Sequence, residues 1–159
     1  MPRQSKYNKE EKDNVKSYQY KAAIYIRLSV EDGDKEESNS ITNQRMLLNQ
    51  FLKDNSDIEV YDYYTDDGFS GTTFNRPGFE KLLEDLYEKK FNTVIVKDLS
   101  RLGRNYIEVG NYIEKVFPLY NIRFIAVNDQ IDSIKNPESV NSIIVPFKNL
   151  INDEYCRDI

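Results

Sequence analysis

The sequence has no histidine. That excludes Ser-His-Asp and Cys-His catalysis and any metal site built on imidazole. Catalysis, if present, rests on Ser, Asp, Glu, Tyr, Lys or Arg, with a carboxylate-held Mg²⁺ as the remaining metal option. The single cysteine, Cys156, rules out an internal disulfide and fits a reducing compartment. No apolar run approaches the roughly 20 residues that cross a bilayer. The opening MPRQSKYNKEEKDNVKSYQY lacks the apolar core of a signal peptide. A cytoplasmic protein with no membrane partner is expected. No G-x-G-x-x-G follows the first apolar run, which removes the dinucleotide fingerprint. There is no internal repeat. Positive charge is in deficit, with 22 Lys and Arg against 27 Asp and Glu and a net charge of −5. This argues against binding nucleic acid over the whole surface, although net charge governs long-range attraction and not the chemistry of a local site.

What is present suffices for one domain with a real core: 159 residues, 39% of them hydrophobic. AAIYIRLS (22–29), IEVYDYYTD (58–66), NTVIVKD (92–98) and NIRFIAVND (121–129) read as strands. ITNQRMLLNQFLK (41–53) behind Ser40 as N-cap, FEKLLEDLYEKK (79–90) and NYIEVGNYIEKVF (105–117) carry helical apolar stripes, with Pro118 just past the third. From Pro146 a further helix is expected, and its pattern stops at residue 159 without a breaker. The order β-α-β-α-β-α-β-α predicts an α/β fold, a mostly parallel sheet of four or five strands covered by helices. The expected divisions are a flexible arm (1–20), a catalytic α/β domain (21–145) and the start of a long, truncated helix (146–159).

In open parallel sheets, sites form outside the carboxyl ends of the strands. The first strand ends in Arg27-Leu28-Ser29, and the third runs into Asp98-Leu99-Ser100-Arg101. The loop after the second reaches Arg76, and Arg104 lies one helical turn beyond Arg101. Gathered guanidinium groups repel one another unless an anion sits among them, and arginine's fork matches phosphate oxygens. Each residue also has an ordinary reading. Ser29 serves as a loop-entry hydroxyl, Ser100 as the cap of the next helix, and Arg76 as a surface residue before a helix. Arg101 and Arg104 pair with surface carboxylates, Gln44 is an exposed helix residue, and Asp66 and Asp67 form a turn before Gly68.

Together these segments resemble the serine recombinase family. YIRLS (25–29) is similar to its first-strand motif, SITNQR (40–45) to its Ser-x-x-x-Gln helix start, and DDGFSGTTFNRPGF (66–79) to its D-G-x-S-G…R-P loop. KDLSRLGRN (97–105) is similar to its R-L-x-R motif, and NDEYCRDI (152–159) to the start of its intersubunit helix. The resemblance implies that Ser29 attacks a DNA phosphodiester, forms a 5′-phosphoserine link and frees a 3′-hydroxyl. Strand exchange and resealing follow with no metal, cofactor or ATP, because the phosphoserine bond conserves the energy. Arg27, Arg76, Arg101 and Arg104 would hold the nonbridging oxygens, and Gln44 would orient the phosphate or an arginine.

The implied partners are double-stranded DNA attachment sites and further copies of the chain, as dimer and as synaptic tetramer. The acidic loop after Ser29 and the D-L-S-R-L-G-R wording look like the large recombinases of mobile elements, including conjugative-transposon integrases. These add DNA-binding modules after the catalytic domain, so residues 1–159 alone are expected to bind DNA weakly and not to recombine. Small resolvases carry an aspartate where this chain has Ser100. Asp98, two residues earlier, shares Ser100's face on an extended strand. Asp98 and Ser100 are therefore the acid-base candidates, with Arg45 and Arg157 as supporting residues. The rival reading is a receiver-like phosphoacceptor module using Asp66, Asp67 and Lys97, which leaves the arginines without a role.

Overall fold

A computed structural model of the chain describes residues 18–28, 37–66, 76–103 and 105–142. Ser29, Asp67, Arg104, Arg157 and the helix expected from Pro146 lie outside the described residues.

Five strands form one sheet in the order β2-β1-β3-β4-β5. They are β1 (Tyr20–Arg27), β2 (Ile58–Asp66), β3 (Thr93–Val96), β4 (Arg123–Ala126) and β5 (Ile131–Asp132). The first four run parallel, and β5 pairs antiparallel with β4. β1 is covered on both faces, so its residues Ala22 to Ile26 are all buried, the continuous apolar run of a helix-covered parallel strand. The alternation of side chains splits it between two core layers. Ala22, Ile24 and Ile26 pack with Leu48 of α1 (Glu37–Asp54), while Ala23 and Tyr25 pack with Phe79, Leu82 and Leu86 of α2 (Pro77–Tyr87).

Three expectations are corrected. α1 begins at Glu37, so Ser40 lies inside it and is not its cap. The helix expected over 105–117 is α4 (Tyr106–Asn111), a π turn (Tyr112–Val116) and α5 (Phe117–Leu119). Pro118 sits within that last turn rather than past the end. A proline inside a helix has no N–H and crowds the carbonyl four residues back, and the wider π turn directly before it relieves that conflict. The fourth strand is shorter than expected, and β5, two residues long, had no periodicity by which to be found.

The chain crosses from β1 to β2 on one side and returns to β3 on the other. The crevice at such a switch lies outside the carboxyl ends of the two strands that diverge, here β1 and β3.

Candidate active site

β1 delivers Arg27 to that crevice, and β3 delivers Lys97, Asp98 and a one-turn helix, α3 (Leu99–Leu102). α3 is anchored at its start by Leu99 N–H, which donates to Asp129 Oδ2 at 2.7 Å. Asp98 holds the N-cap position with extended backbone, and Ser100 lies within the turn, so Ser100 is not the helix cap. Its Oγ donates instead to Asp98 Oδ1. The two acid-base candidates are thus directly bonded, and Asp98 Oδ2 also lies 3.9 Å from Arg101 Nε.

Three arginines meet at α3, but through its backbone. Arg27 donates through Nη2 to Ser100 O at 2.7 Å and through Nε to Arg101 O at 3.3 Å. Arg101 returns the contact, donating through Nη1 to Arg27 O at 2.9 Å. Arg76 donates to Leu102 O at 2.6 Å and Arg101 O at 3.4 Å. The last carbonyls of a helix have no intrahelical donor, and cations suit that end. Charge-assisted bonds of this kind each contribute roughly 1.5–3 kcal/mol.

Arg76, expected among the phosphate-holding arginines, is fully buried at 0% exposure, which removes its ordinary reading as a surface residue. Its guanidinium lies 5.3 Å from the Tyr25 ring centroid and 5.0 Å from that of Phe79, both cation–π contacts. Burial lowers its pKa, opposed by the nearby Tyr25 and Asp66.

Gln44 is likewise not exposed. α1 buries it against β1, where its Nε2 donates to Arg27 O at 3.4 Å. Its Oε1 is buried with no hydrogen-bond donor among the described residues. Arg45, one residue on, is exposed and stacks 5.1 Å over Tyr63 instead of joining the cluster.

Two residues of the site were missed as such. Asp66 was read as a turn former; it ends β2, is buried, and is paired in register with Arg27. Its Oδ1 accepts from Gly78 N–H at 2.7 Å, and its Oδ2 from Phe79 N–H at 2.9 Å and Tyr25 O–H at 2.8 Å. The carboxylate thereby satisfies the open N–H groups at the start of α2 and fixes Arg76 just before it. Gly78 permits the approach, because a Cβ there would meet Thr65 O at 2.7 Å. Tyr25 is raised well above the ordinary tyrosine range, first by burial and then by Asp66. The sequence signal was Asp66 closing a strand, with Pro77-Gly78 opening the helix behind Arg76.

Comparison with known proteins identifies the family of the chain. The family model "Resolvase, N terminal domain" matches residues 22–158. The chain belongs to the resolvase family. The N-terminal catalytic domain of TP901-1 integrase is 31% identical, with a TM-score of 0.68 over 87% of this chain and 97% of that one. A serine recombinase from Sulfolobus solfataricus is 26% identical, with a TM-score of 0.54 over 84% and 86% of the two chains. A resolvase family site-specific recombinase from Streptococcus pneumoniae, 24% identical, shares the fold with a TM-score of 0.67 over 87% and 92%. The chain is therefore a serine recombinase catalytic domain, from a family that carries out site-specific recombination of DNA. No helix among the described residues is long and apolar enough to cross a membrane.

Proposed function

We propose that Ser29 is the nucleophile and that the domain cuts DNA through a 5′-phosphoserine intermediate in the integration or excision of a mobile element. The observation that carries this reading is the convergence of Arg27, Arg76 and Arg101 at the carboxyl ends of β1 and β3, two residues from Ser29 in the chain. Phosphoryl transfer asks mainly for positioning and for neutralisation of charge on the nonbridging oxygens. Guanidinium forks that here bind carbonyl oxygens present the same donors to phosphate oxygens, so substrate binding takes over hydrogen bonds now held by α3. Arg101 is the most accessible of the three. Arg104 completes the set from the segment following α3.

Serine needs a proton acceptor to become a nucleophile. The Asp98–Ser100 pair, adjoining Arg101, is the proton path we assign. Gln44 steadies the end of β1 through Arg27 O, with its buried Oε1 as an acceptor toward the site. Arg45 has a surface role on α1. The receiver-like reading has no support: Asp66, its central acid, already accepts three hydrogen bonds.

The test is Ser29→Ala assayed on DNA carrying the recombination sites. Wild-type protein leaves a covalent protein–DNA adduct when resealing is blocked, and the variant leaves none. An adduct that persists in the variant refutes the assignment.

A further inference from the structure

At the opposite, amino end of the strands a cavity of ≈ 440 Å³ lies between β1 and the ends of α2 and α5. Lys21, Lys89, Lys90 and Asn121 form its polar rim, and Phe91 and Tyr120 are among its apolar lining. Pockets of this volume with an apolar lining and a few polar groups suit a small ligand.

Two of the three cations are uncommitted. Lys90 pairs with Asp85 at 3.3 Å and Glu88 at 3.0 Å, as expected of a cation beside a helix C-terminus. Lys21 and Lys89 pair with no carboxylate among the described residues. Lys21 lies on a strand, where no helix end calls for charge, and its N–H is fixed on Asn92 Oδ1 at 2.9 Å.

Lys89 and Asn121 are placed alike. α2 ends with Lys89 N–H on Leu86 O and Lys90 N–H on Asp85 O, both at 3.0 Å. α5 ends with Asn121 N–H on Pro118 O at 3.1 Å and Ile122 N–H on Phe117 O at 2.8 Å. Each is a Schellman termination, whose left-handed residue is normally glycine. Here those residues are Lys89, with φ 58°, and Asn121, with φ 55°. Lysine occupies that conformation against the preference of its own Cβ, and it sets an ammonium at the cavity rim. Beside it, Tyr87 is half-exposed and its ring lies 5.2 Å from that of Tyr120, an aromatic step at the cavity's edge.

Cations beside exposed aromatic rings are the chemistry of single-stranded nucleic-acid and nucleotide sites: the base stacks and the phosphate pairs. We infer that this cavity binds a nucleotide unit, with its phosphate on Lys21 and Lys89 and its base against Tyr120. An acidic peptide would use the lysines but leave the aromatic step idle. The cavity is remote from the arginine cluster, and the inference does not depend on the assignment of Ser29.

The experiment is fluorescence anisotropy with a labelled oligothymidylate about 12 nucleotides long, within the usual span of such sites. Competitors are thymidine monophosphate, inorganic phosphate and an oligoglutamate peptide. The decisive variant is Lys21→Ala with Lys89→Gly, because glycine relieves the strain at position 89 and the fold cannot be blamed for lost binding. We expect a loss of about tenfold, a salt slope shallower by about 0.7 for the one phosphate held, and a thermal midpoint no lower than wild type. Thymidine monophosphate should displace the probe where inorganic phosphate does not. Competition on a par with the oligonucleotide identifies a free-nucleotide site, and much weaker competition identifies a strand site; either supports the inference. Ser29→Ala should leave all of this unchanged. No binding to the wild type, unchanged binding by the double variant, or displacement by oligoglutamate ahead of the nucleotide would overturn it.

Discussion

Arg27, Arg76 and Arg123 are all sealed inside this domain, at 1%, 0% and 1% exposure, and the last two are held in opposite ways. Arg76, at the carboxyl end of the sheet, donates to the neutral carbonyls of Leu102 and Arg101 and lies against two aromatic rings. Arg123, at the start of β4, grips Asp132 of β5 through two hydrogen bonds of 2.6 and 3.0 Å, with Asp57 at 3.9 Å and the Tyr20 ring beneath. Burial pulls the pKa of both down, yet Arg123 ends above its ordinary value because the Asp132 carboxylate outweighs burial, while Arg76 ends below. Carbonyls bind a guanidinium without neutralising it; a carboxylate does both. The Asp132 carboxylate cancels the charge of Arg123 and pins a short edge strand.

The largest effect expected from this contrast is at the structural pair. Asp132→Ala strands Arg123 as a buried charge and should cost about 3–5 kcal/mol in unfolding free energy, read by urea titration. A change below 1 kcal/mol would show that the two arginines are not held differently. Arg76→Lys keeps the charge but loses the fork that spans two carbonyls. It should slow DNA cleavage about 10²–10³-fold, the usual loss for a preorganised donor, with a smaller loss of stability. Cleavage at the wild-type rate would remove Arg76 from the site.

Much of this contrast was legible in the sequence, and its limits are physical. β1 to β4 and the two main helices follow from apolar periodicity, and Arg27, Arg76 and Arg101 from the rule that sites lie at strand carboxyl ends. Arg123 was not legible, because one arginine in a short apolar run gives no sign of a partner on a strand only two residues long. Nor could the sequence show that Arg27 and Arg76 are buried on backbone carbonyls, since carbonyl acceptors leave no residue signature. Asp66 before a glycine-rich loop looks like a turn former, and only the packing of α2 against β2 shows its carboxylate capping that helix.

Gly78→Ala tests the supports of Arg76 from behind. Its Cβ would strike Thr65 O and crowd Asp66, so a loss of about 1–3 kcal/mol is expected, with cleavage impaired in the folded fraction. A variant as stable as the wild type would show that the Asp66 contact is dispensable.

Acid separates the two regions by titration. Burial raises the Asp132 carboxyl, but Arg123 and the N–H groups of Lys135 and Ile134 outweigh it and hold it below the ordinary 3.8. Asp85 behaves alike: burial is overcome by the Tyr64 hydroxyl, at 2.6 Å, and by Lys81 and Lys90. A depressed folded-state pKa means that the unfolded chain binds more protons. The contribution is therefore full above the ordinary carboxylate value and is lost as pH falls through the lowered one. Asp132→Asn should flatten part of the acid limb of stability against pH, and Arg76→Lys should leave its shape unchanged. The smallest effect is expected at Gly110, where an added Cβ meets nothing within 4 Å. Gly110→Ala should stabilise α4 by about 0.5–1 kcal/mol, read as a raised thermal midpoint.

The account's central claim is that the arginine crevice activates Ser29 against DNA phosphate. Mass spectrometry of the adduct trapped on DNA carrying the recombination sites tests it most directly. The account predicts a phosphodiester on the peptide containing Ser29, absent from Ser29→Ala. DNA attached at Ser100, at a tyrosine, or at any other residue would contradict it.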